Sequence, residues 1–139
     1  MQVTLTRMND AVHLRAENED GNTVEIDGAQ AVGGEQAGFR PMQLVLAAIA
    51  SCSTMDLVPI LEKQRQDLQQ LQIRVNGERA EGTPAPFTSI HLHFTLTGNI
   101  DPQKAERAVQ LAVEKYCSVA EMLKRSAEIS HSFDIVEPA

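Results

Sequence analysis

Hydrophobic and polar residues alternate in several short segments of the chain, and this two-residue spacing is typical of half-buried β-strands. In the N-terminal third, turn-rich breaks around Asn9 and Gly21 separate three such segments. The segments contain Val3 and Leu5, Val12 and Leu14, and Val24 and Ile26. We therefore predict three short strands joined by hairpins.

The central segment breaks this alternation, because every residue from Leu44 to Ala50 is apolar. Its alanines and leucines favour a helix, and Pro41 suits the first helical position. The run is shorter than the roughly 18 uncharged residues that cross a bilayer, and Arg40 and Asp56 bracket it. We expect a helix buried in the protein core, with a kink or a new helix near Pro59.

Strand-like alternation returns over residues 71–75 and 90–96, and again from Ile129 to Val136. Asp101 and Pro102 open a second helix before the last strand. Its apolar residues recur at three- and four-residue spacing and predict one buried face: Ala105, Ala108, Val109, Ala112, Val113 and Tyr116. This order of elements predicts an α+β fold. The 139 residues suit a single domain, 1–139.

The central helix has no polar face along its apolar run, so it must be covered on all sides. Six short strands and one amphipathic helix provide less cover than it needs. A second copy of the chain would supply the rest, and we therefore expect a homodimer.

Composition and charge narrow the possible functions. The chain has 12 basic and 19 acidic residues, a net charge of −7, and no basic cluster, so we expect no nucleic-acid partner. The first residues lack the features of a secretory signal peptide, and we expect a cytoplasmic protein that does not bind membranes. His91 and His93 lie on the polar face of their strand, and no metal or phosphate motif is present. We expect neither a metal nor a cofactor.

Cys52 and Cys117 are the remaining candidates for chemistry (117 − 52 = 65 residues apart). Buried free cysteines usually act as small hydrophobic residues, so packing is the first interpretation. A reactive Cys52 needs a nearby cation. Arg40 precedes it, but the helix between them would rise about 18 Å, so the arginine would have to come from a folded-back loop or a partner subunit. Cys117 ends a helix, where the dipole disfavours a thiolate and suits a resolving role.

Three segments together resemble the OsmC/Ohr family of thiol peroxidases. They are GFRPMQLVLAAIASCSTMDLVPIL (38–61), NGERAEGTPAPF (76–87) and EKYCSV (114–119). The resemblance extends through nearly the whole chain and is nearest to the YhfA-like branch. It implies an OsmC-like fold, in which two antiparallel sheets wrap around long central helices in an intertwined homodimer.

The resemblance also implies a chemistry. It makes Cys52 the peroxidatic cysteine and Cys117 the resolving cysteine of an enzyme that reduces organic hydroperoxides in oxidative stress defence. A dithiol or lipoyl-type reductant would recycle their disulfide. An arginine activates the peroxidatic thiolate in the family, and Arg7, Arg15 and Arg40 are the candidates here.

Two further hypotheses stay open at this point. Better-known members of the family carry a glutamate where this chain has Met42, and the neighbouring Gln43 offers only a neutral amide to an arginine. We retain Arg40 and Gln43 as further catalytic candidates beside the cysteines. The second hypothesis is a redox-sensing or small-ligand-binding dimer with little or no turnover. In the third, both cysteines are packing residues.

Overall fold

The computed structural model describes all residues, 1–139, as two compact units, Met1–Val45 and Leu46–Ala139. The first unit holds an antiparallel sheet of three strands in the order β1 (Val3–Arg7), β2 (Leu14–Asn18) and β3 (Thr23–Ile26). The three N-terminal strands predicted from the alternating pattern are confirmed. That the whole chain forms one domain stays a prediction.

A loop held by Asp27 follows the third strand. The carboxylate is buried and accepts hydrogen bonds from the backbone N–H groups of Gly28, Glu35 and Ala37 at 2.8, 2.8 and 3.1 Å. These bonds lower the pKa of Asp27, because they favour its charged form over the neutral one. Ionised Asp27 therefore fixes the path of the chain between β3 and the first helix.

The first helix, α1 (Pro41–Lys63), is a single helix that includes Pro59, so the chain does not start a new helix there. Its fully buried residues recur every four positions: Ile49, Ser53, Leu57 and Leu61. One chain does not enclose α1 on all sides, as expected, because Met55 is 71% exposed. One stripe of α1 packs in the core, and the homodimer that would cover the remainder stays a prediction.

The length of α1 also revises an expectation. The apolar run alone is too short to span a bilayer, but the 23-residue helix around it is long and apolar enough by length and composition. This is weak evidence for a membrane protein, because the core helix of a soluble protein has the same properties.

The second sheet has the order β4 (Asp67–Arg79), β5 (Phe87–Asn99) and β6 (Glu128–Val136). One face of β5 forms the centre of the core, with four fully buried residues: Ile90, Leu92, Phe94 and Leu96. The first pair, β4 and β5, is antiparallel, but β5 and β6 are parallel. The prediction of two antiparallel sheets is therefore wrong for this sheet, which is mixed. The chain leaves β5 and returns through a helical crossover, the connection that parallel strands require.

That crossover contains three helical pieces: α2 (Pro102–Gln110), a π-helical turn (Leu111–Tyr116) and α3 (Ser118–Leu123). Asp101 caps α2 as predicted, since its Oδ1 accepts hydrogen bonds from the N–H groups of Gln103 and Lys104 at 2.9 and 3.1 Å. The crossover ends where β6 begins, and the α+β class predicted from the order of elements is confirmed.

Candidate active site

Cys52 lies in the middle of α1 beside the buried stripe. Its neighbour Ser53 is fully buried, and so is Ile49, three residues earlier, whereas Ser51 is exposed. Cys52 itself is half-buried and forms no disulfide. This position at the edge of the stripe gives the thiol both a side toward the protein interior and a side toward the surface.

Cys117 lies between the π-turn and α3, with only 3% of its surface exposed. The N–H of Ala120 donates a hydrogen bond to the Cys117 sulfur at 3.3 Å, so the thiol caps α3. The thiol in turn donates to the carbonyl oxygen of Ile49 on α1 at 3.8 Å. The prediction that Cys117 ends a helix is correct but incomplete, because the same residue also begins the next one.

The Cys52 thiol is close enough to affect the ionisation of Cys117. Burial raises the pKa of Cys117 to about 11, and this is the largest cause. The Ala120 N–H works in the opposite direction, while a hydrogen bond and the charge of Cys52 raise the pKa further. The expected suppression of the Cys117 thiolate is therefore present, but its main cause is burial rather than a helix dipole.

Arg40 and Gln43 belong to the first compact unit, where they contact each other. The backbone N–H of Arg40 donates to Oε1 of Gln43 at 3.0 Å, which is one half of a capping box at the start of α1. The Arg40 side chain is exposed and forms no ion pair. Gln43 thus has a structural role in this chain, and a catalytic role for either residue stays a prediction.

The sequence alone did not indicate how Arg15 is held. Arg15 and Glu25 face each other across β2 and β3. The guanidinium donates to both carboxylate oxygens, from Nε at 3.0 Å and from a terminal nitrogen at 2.9 Å. Because such bidentate pairs fix the plane of the guanidinium, Arg15 is the arginine candidate that a carboxylate orients. Its pairing with Glu25 could have been found from hairpin register, which places opposite charges on facing positions.

The predicted polar face of β5 carries a continuous chain of hydrogen bonds to β6. His91 contacts Ser130 and Ser132 at 2.7 and 2.8 Å, and His93 contacts Ser132 and Asp134 at 2.6 and 3.0 Å. Each histidine lies between two partners because the strands are parallel and in register. These hydrogen bonds connect β5 to β6. Both histidines are distant from Cys52 and Cys117 in the sequence.

Comparisons with known proteins agree on one family. The family model described as OsmC-like protein matches residues 33–132. Protein YhfA of Escherichia coli strain K12 is 41% identical over 121 residues, covering 86% of this chain and 87% of its own. The crystal structure of a hypothetical protein from Aquifex aeolicus VF5 superimposes with a TM-score of 0.85 at 30% identity, covering 99% of this chain and 97% of that one.

A more distant structure shares the fold. An organic hydroperoxide resistance protein from Legionella pneumophila superimposes with a TM-score of 0.71 at 19% identity. The alignment covers 96% of this chain and 97% of the Legionella protein. At this identity the likeness concerns the fold alone.

Proposed function

Because the chain belongs to the OsmC-like protein family, we propose that it is a cysteine-based peroxidase that reduces organic hydroperoxides. Cys52 is its peroxidatic cysteine and Cys117 its resolving cysteine. One observation carries the proposal: the fold brings together the only two cysteines of the chain, from α1 and from the crossover, with thiols that interact. The name of the Legionella protein, which refers to organic hydroperoxide resistance, supports the substrate class.

The proposed reaction has two steps. The Cys52 thiolate attacks one oxygen of the hydroperoxide, the O–O bond breaks, and the alkoxide leaves as an alcohol after taking a proton. Cys52 is now a sulfenic acid. The Cys117 thiolate then attacks the Cys52 sulfur, and hydroxide leaves and becomes water. The difference in exposure fits this division of roles, because half-buried Cys52 can meet a substrate and Cys117 cannot.

A dithiol or lipoyl-type reductant would return the disulfide to two thiols by thiol–disulfide exchange. We further propose a cytoplasmic homodimer that functions in oxidative stress defence and uses neither metal nor cofactor. The apolar surface of α1 that one chain leaves open, with Met55 71% exposed, supports the dimer.

Titration of the reduced protein with cumene hydroperoxide tests the peroxidase proposal. We expect loss of both thiols at a modest excess of peroxide, and steady peroxide consumption when a dithiol is supplied. Cys52→Ser should abolish consumption, while Cys117→Ser should still react once. Survival of both thiols would contradict the proposal.

Arginine variants test which cation supports Cys52. Arg15→Lys and Arg40→Lys both keep the positive charge, but only the former loses a bidentate contact with a carboxylate. The variant that slows the first step identifies the activating arginine. Glu25→Gln is the matched test of its orientation, since it removes the carboxylate charge that holds Arg15.

The second candidate function is a redox sensor with little turnover. The raised pKa of Cys117 favours it, because a protonated resolving thiol attacks slowly and leaves the oxidised state of Cys52 long-lived. Met42, at the position of a family glutamate, points in the same direction. A sensor would be oxidised once by hydroperoxide and would not consume further peroxide in the presence of a dithiol.

A further inference from the structure

The polar face of β5 and β6 carries five side chains that form one hydrogen-bonded chain, and the peroxidase proposal uses none of them. In order along this chain they are Ser130, His91, Ser132, His93 and Asp134. The four hydrogen bonds measure 2.7, 2.8, 2.6 and 3.0 Å. Because each group has a fixed number of protons, the donor of every bond can be worked out from one end.

Ionised Asp134 can only accept, so Nε2 of His93 carries a proton and donates it. A neutral His93 then accepts at Nδ1, and the donor there is the hydroxyl of Ser132. Since Ser132 has no second proton, the bond between it and His91 is donated by Nε2 of His91. Nδ1 of a neutral His91 accepts from the hydroxyl of Ser130. All four hydrogen bonds therefore point toward Asp134.

This proton order gives Ser132 the partners of an activated serine. A histidine accepts its proton, and a carboxylate holds that histidine in the required tautomer. The N–H of His91 also donates to the Ser132 oxygen and stabilises the negative charge that develops when the proton leaves. Ser130 lacks this support, because its histidine donates to a neutral hydroxyl and not to a carboxylate. Ser132 should therefore be the more reactive of the two serines.

The surroundings of Ser132 offer a place for a substrate. Arg74 on β4 lies opposite His93, which in turn lies opposite Ser132, so the three residues share one face at one level of the sheet. Arg74 is exposed and forms no ion pair, so its positive charge is available to a developing anion. An open groove of about 500 Å³ begins two residues further along β5, at Thr95. Its polar lining is uncharged: Gln70, Gln72, Thr95 and Thr97.

We propose that Ser132 is the nucleophile of a second site, which hydrolyses small polar esters. The Ser132 oxygen attacks the carbonyl carbon while its proton passes to Nδ1 of His93. The bond from that carbon to the ester oxygen breaks, and the alcohol leaves with this proton. Water then attacks the acyl group on Ser132 and gives a proton to His93, which returns it to the serine as the carboxylic acid leaves. No electrons are exchanged, so this activity is independent of the two cysteines.

A fluorophosphonate probe, which reacts with activated serine hydroxyls, tests the nucleophile directly. The Ser132 oxygen forms a bond to phosphorus, the phosphorus–fluorine bond breaks, and the serine proton passes to His93. We expect mass spectrometry to locate the probe on Ser132. His93→Gln should slow this labelling at least about a hundredfold, the effect of losing a general base. Ser130→Ala is the matched control and should leave it unchanged.

Hydrolysis of p-nitrophenyl acetate tests turnover. The assay uses Cys52→Ser protein, so that this thiol does not consume the ester. We expect steady release of p-nitrophenolate that is lost when Ser132→Ala is added and slowed when Arg74→Gln is added. An unlabelled Ser132, equal labelling of Ser130 and Ser132, or equal turnover with and without Ser132→Ala would overturn the proposal.

Asp134 is a positioning residue in this proposal, and nuclear magnetic resonance of ¹⁵N-labelled protein tests its role. In the wild type the proton of neutral His93 should lie on Nε2. The amide of Asp134→Asn can donate to Nε2, which moves the proton to Nδ1, where it blocks transfer from Ser132. Asp134→Glu should restore both the tautomer and the labelling. A proton on Nδ1 of His93 in the wild type would overturn the proton order on which the proposal depends.

Discussion

Formation of the disulfide should be slow at neutral pH and should accelerate as the pH rises. The attacking species is the Cys117 thiolate, and the pKa of this thiol is raised to about 11. At pH 7 only about one Cys117 in ten thousand is then ionised, and each pH unit below the pKa increases that fraction about tenfold. Between about pH 7 and about pH 9, the closure rate should therefore rise about a hundredfold.

Oxidation of Cys52 should not remove this dependence. The contribution of the Cys52 thiol to the raised pKa disappears when Cys52 becomes a sulfenic acid. Burial is the larger cause, and it remains until the thiol attacks. The rate of the closure step, in which Cys117 attacks oxidised Cys52, should therefore depend steeply on pH.

The assay follows closure separately from the first oxidation. Reduced protein is mixed with a slight excess of cumene hydroperoxide, quenched with an alkylating agent at intervals, and the intramolecular disulfide is measured by mass spectrometry. Cys117→Ser reports the first step alone, through the loss of the Cys52 thiol, and provides the correction for its own pH dependence. A closure rate that stays constant from about pH 7 to about pH 9 would refute the argument, because ionisation of a buried Cys117 would then not limit the reaction.

Three predictions concern the parts of the fold that hold the site. Leu57→Ala should lower the free energy of unfolding by about 2–5 kcal/mol in urea titrations, because Leu57 is fully buried on α1, whereas the exposed Glu62→Ala should change it by less than about 0.5 kcal/mol. Ser132→Ala should cost about 0.5–1.5 kcal/mol, since it removes one hydrogen bond from each of the half-buried His91 and His93, which keep their other partners, and an unchanged urea midpoint would contradict this. The pKa of Asp27 is lowered in the folded state, so its stabilising effect is present above the unfolded pKa and is lost as the pH falls through the folded value. Asp27→Asn should therefore lower the melting temperature at neutral pH and make it fall less steeply as the pH is lowered. Identical plots of melting temperature against pH for the variant and the wild type would show that the ionised carboxylate does not stabilise the fold.

The sequence predicted those elements whose burial follows a regular period. The three N-terminal strands and the position of the last strand, Glu128–Val136, follow from alternating residues. The capped start of α2 follows from Asp101 and Pro102. Local periodicity does not encode strand direction, however, and the parallel pairing of β6 depends on the path of the crossover. The open face of α1 was expected, because its apolar run needs more cover than one chain supplies.

At the candidate site, too, some features could be predicted from the sequence and others could not. Proximity of two cysteines far apart in sequence followed from a family resemblance and not from their spacing. The π-turn was not predicted, because it needs no special residue and appears only as a change of phase from Tyr116 to Cys117. The pairing of Arg15 with Glu25 depends on hairpin register, which was not worked out from the sequence.

The central claim is that Cys52 and Cys117 form a redox pair driven by an organic hydroperoxide. Mass spectrometry of the alkylated, protease-digested protein after treatment with cumene hydroperoxide tests it most directly. The account predicts a peptide pair joined by a Cys52–Cys117 disulfide within one chain, which disappears after addition of a dithiol. Cys117 recovered fully alkylated, with Cys52 either unmodified or oxidised to a sulfinic acid, would contradict it.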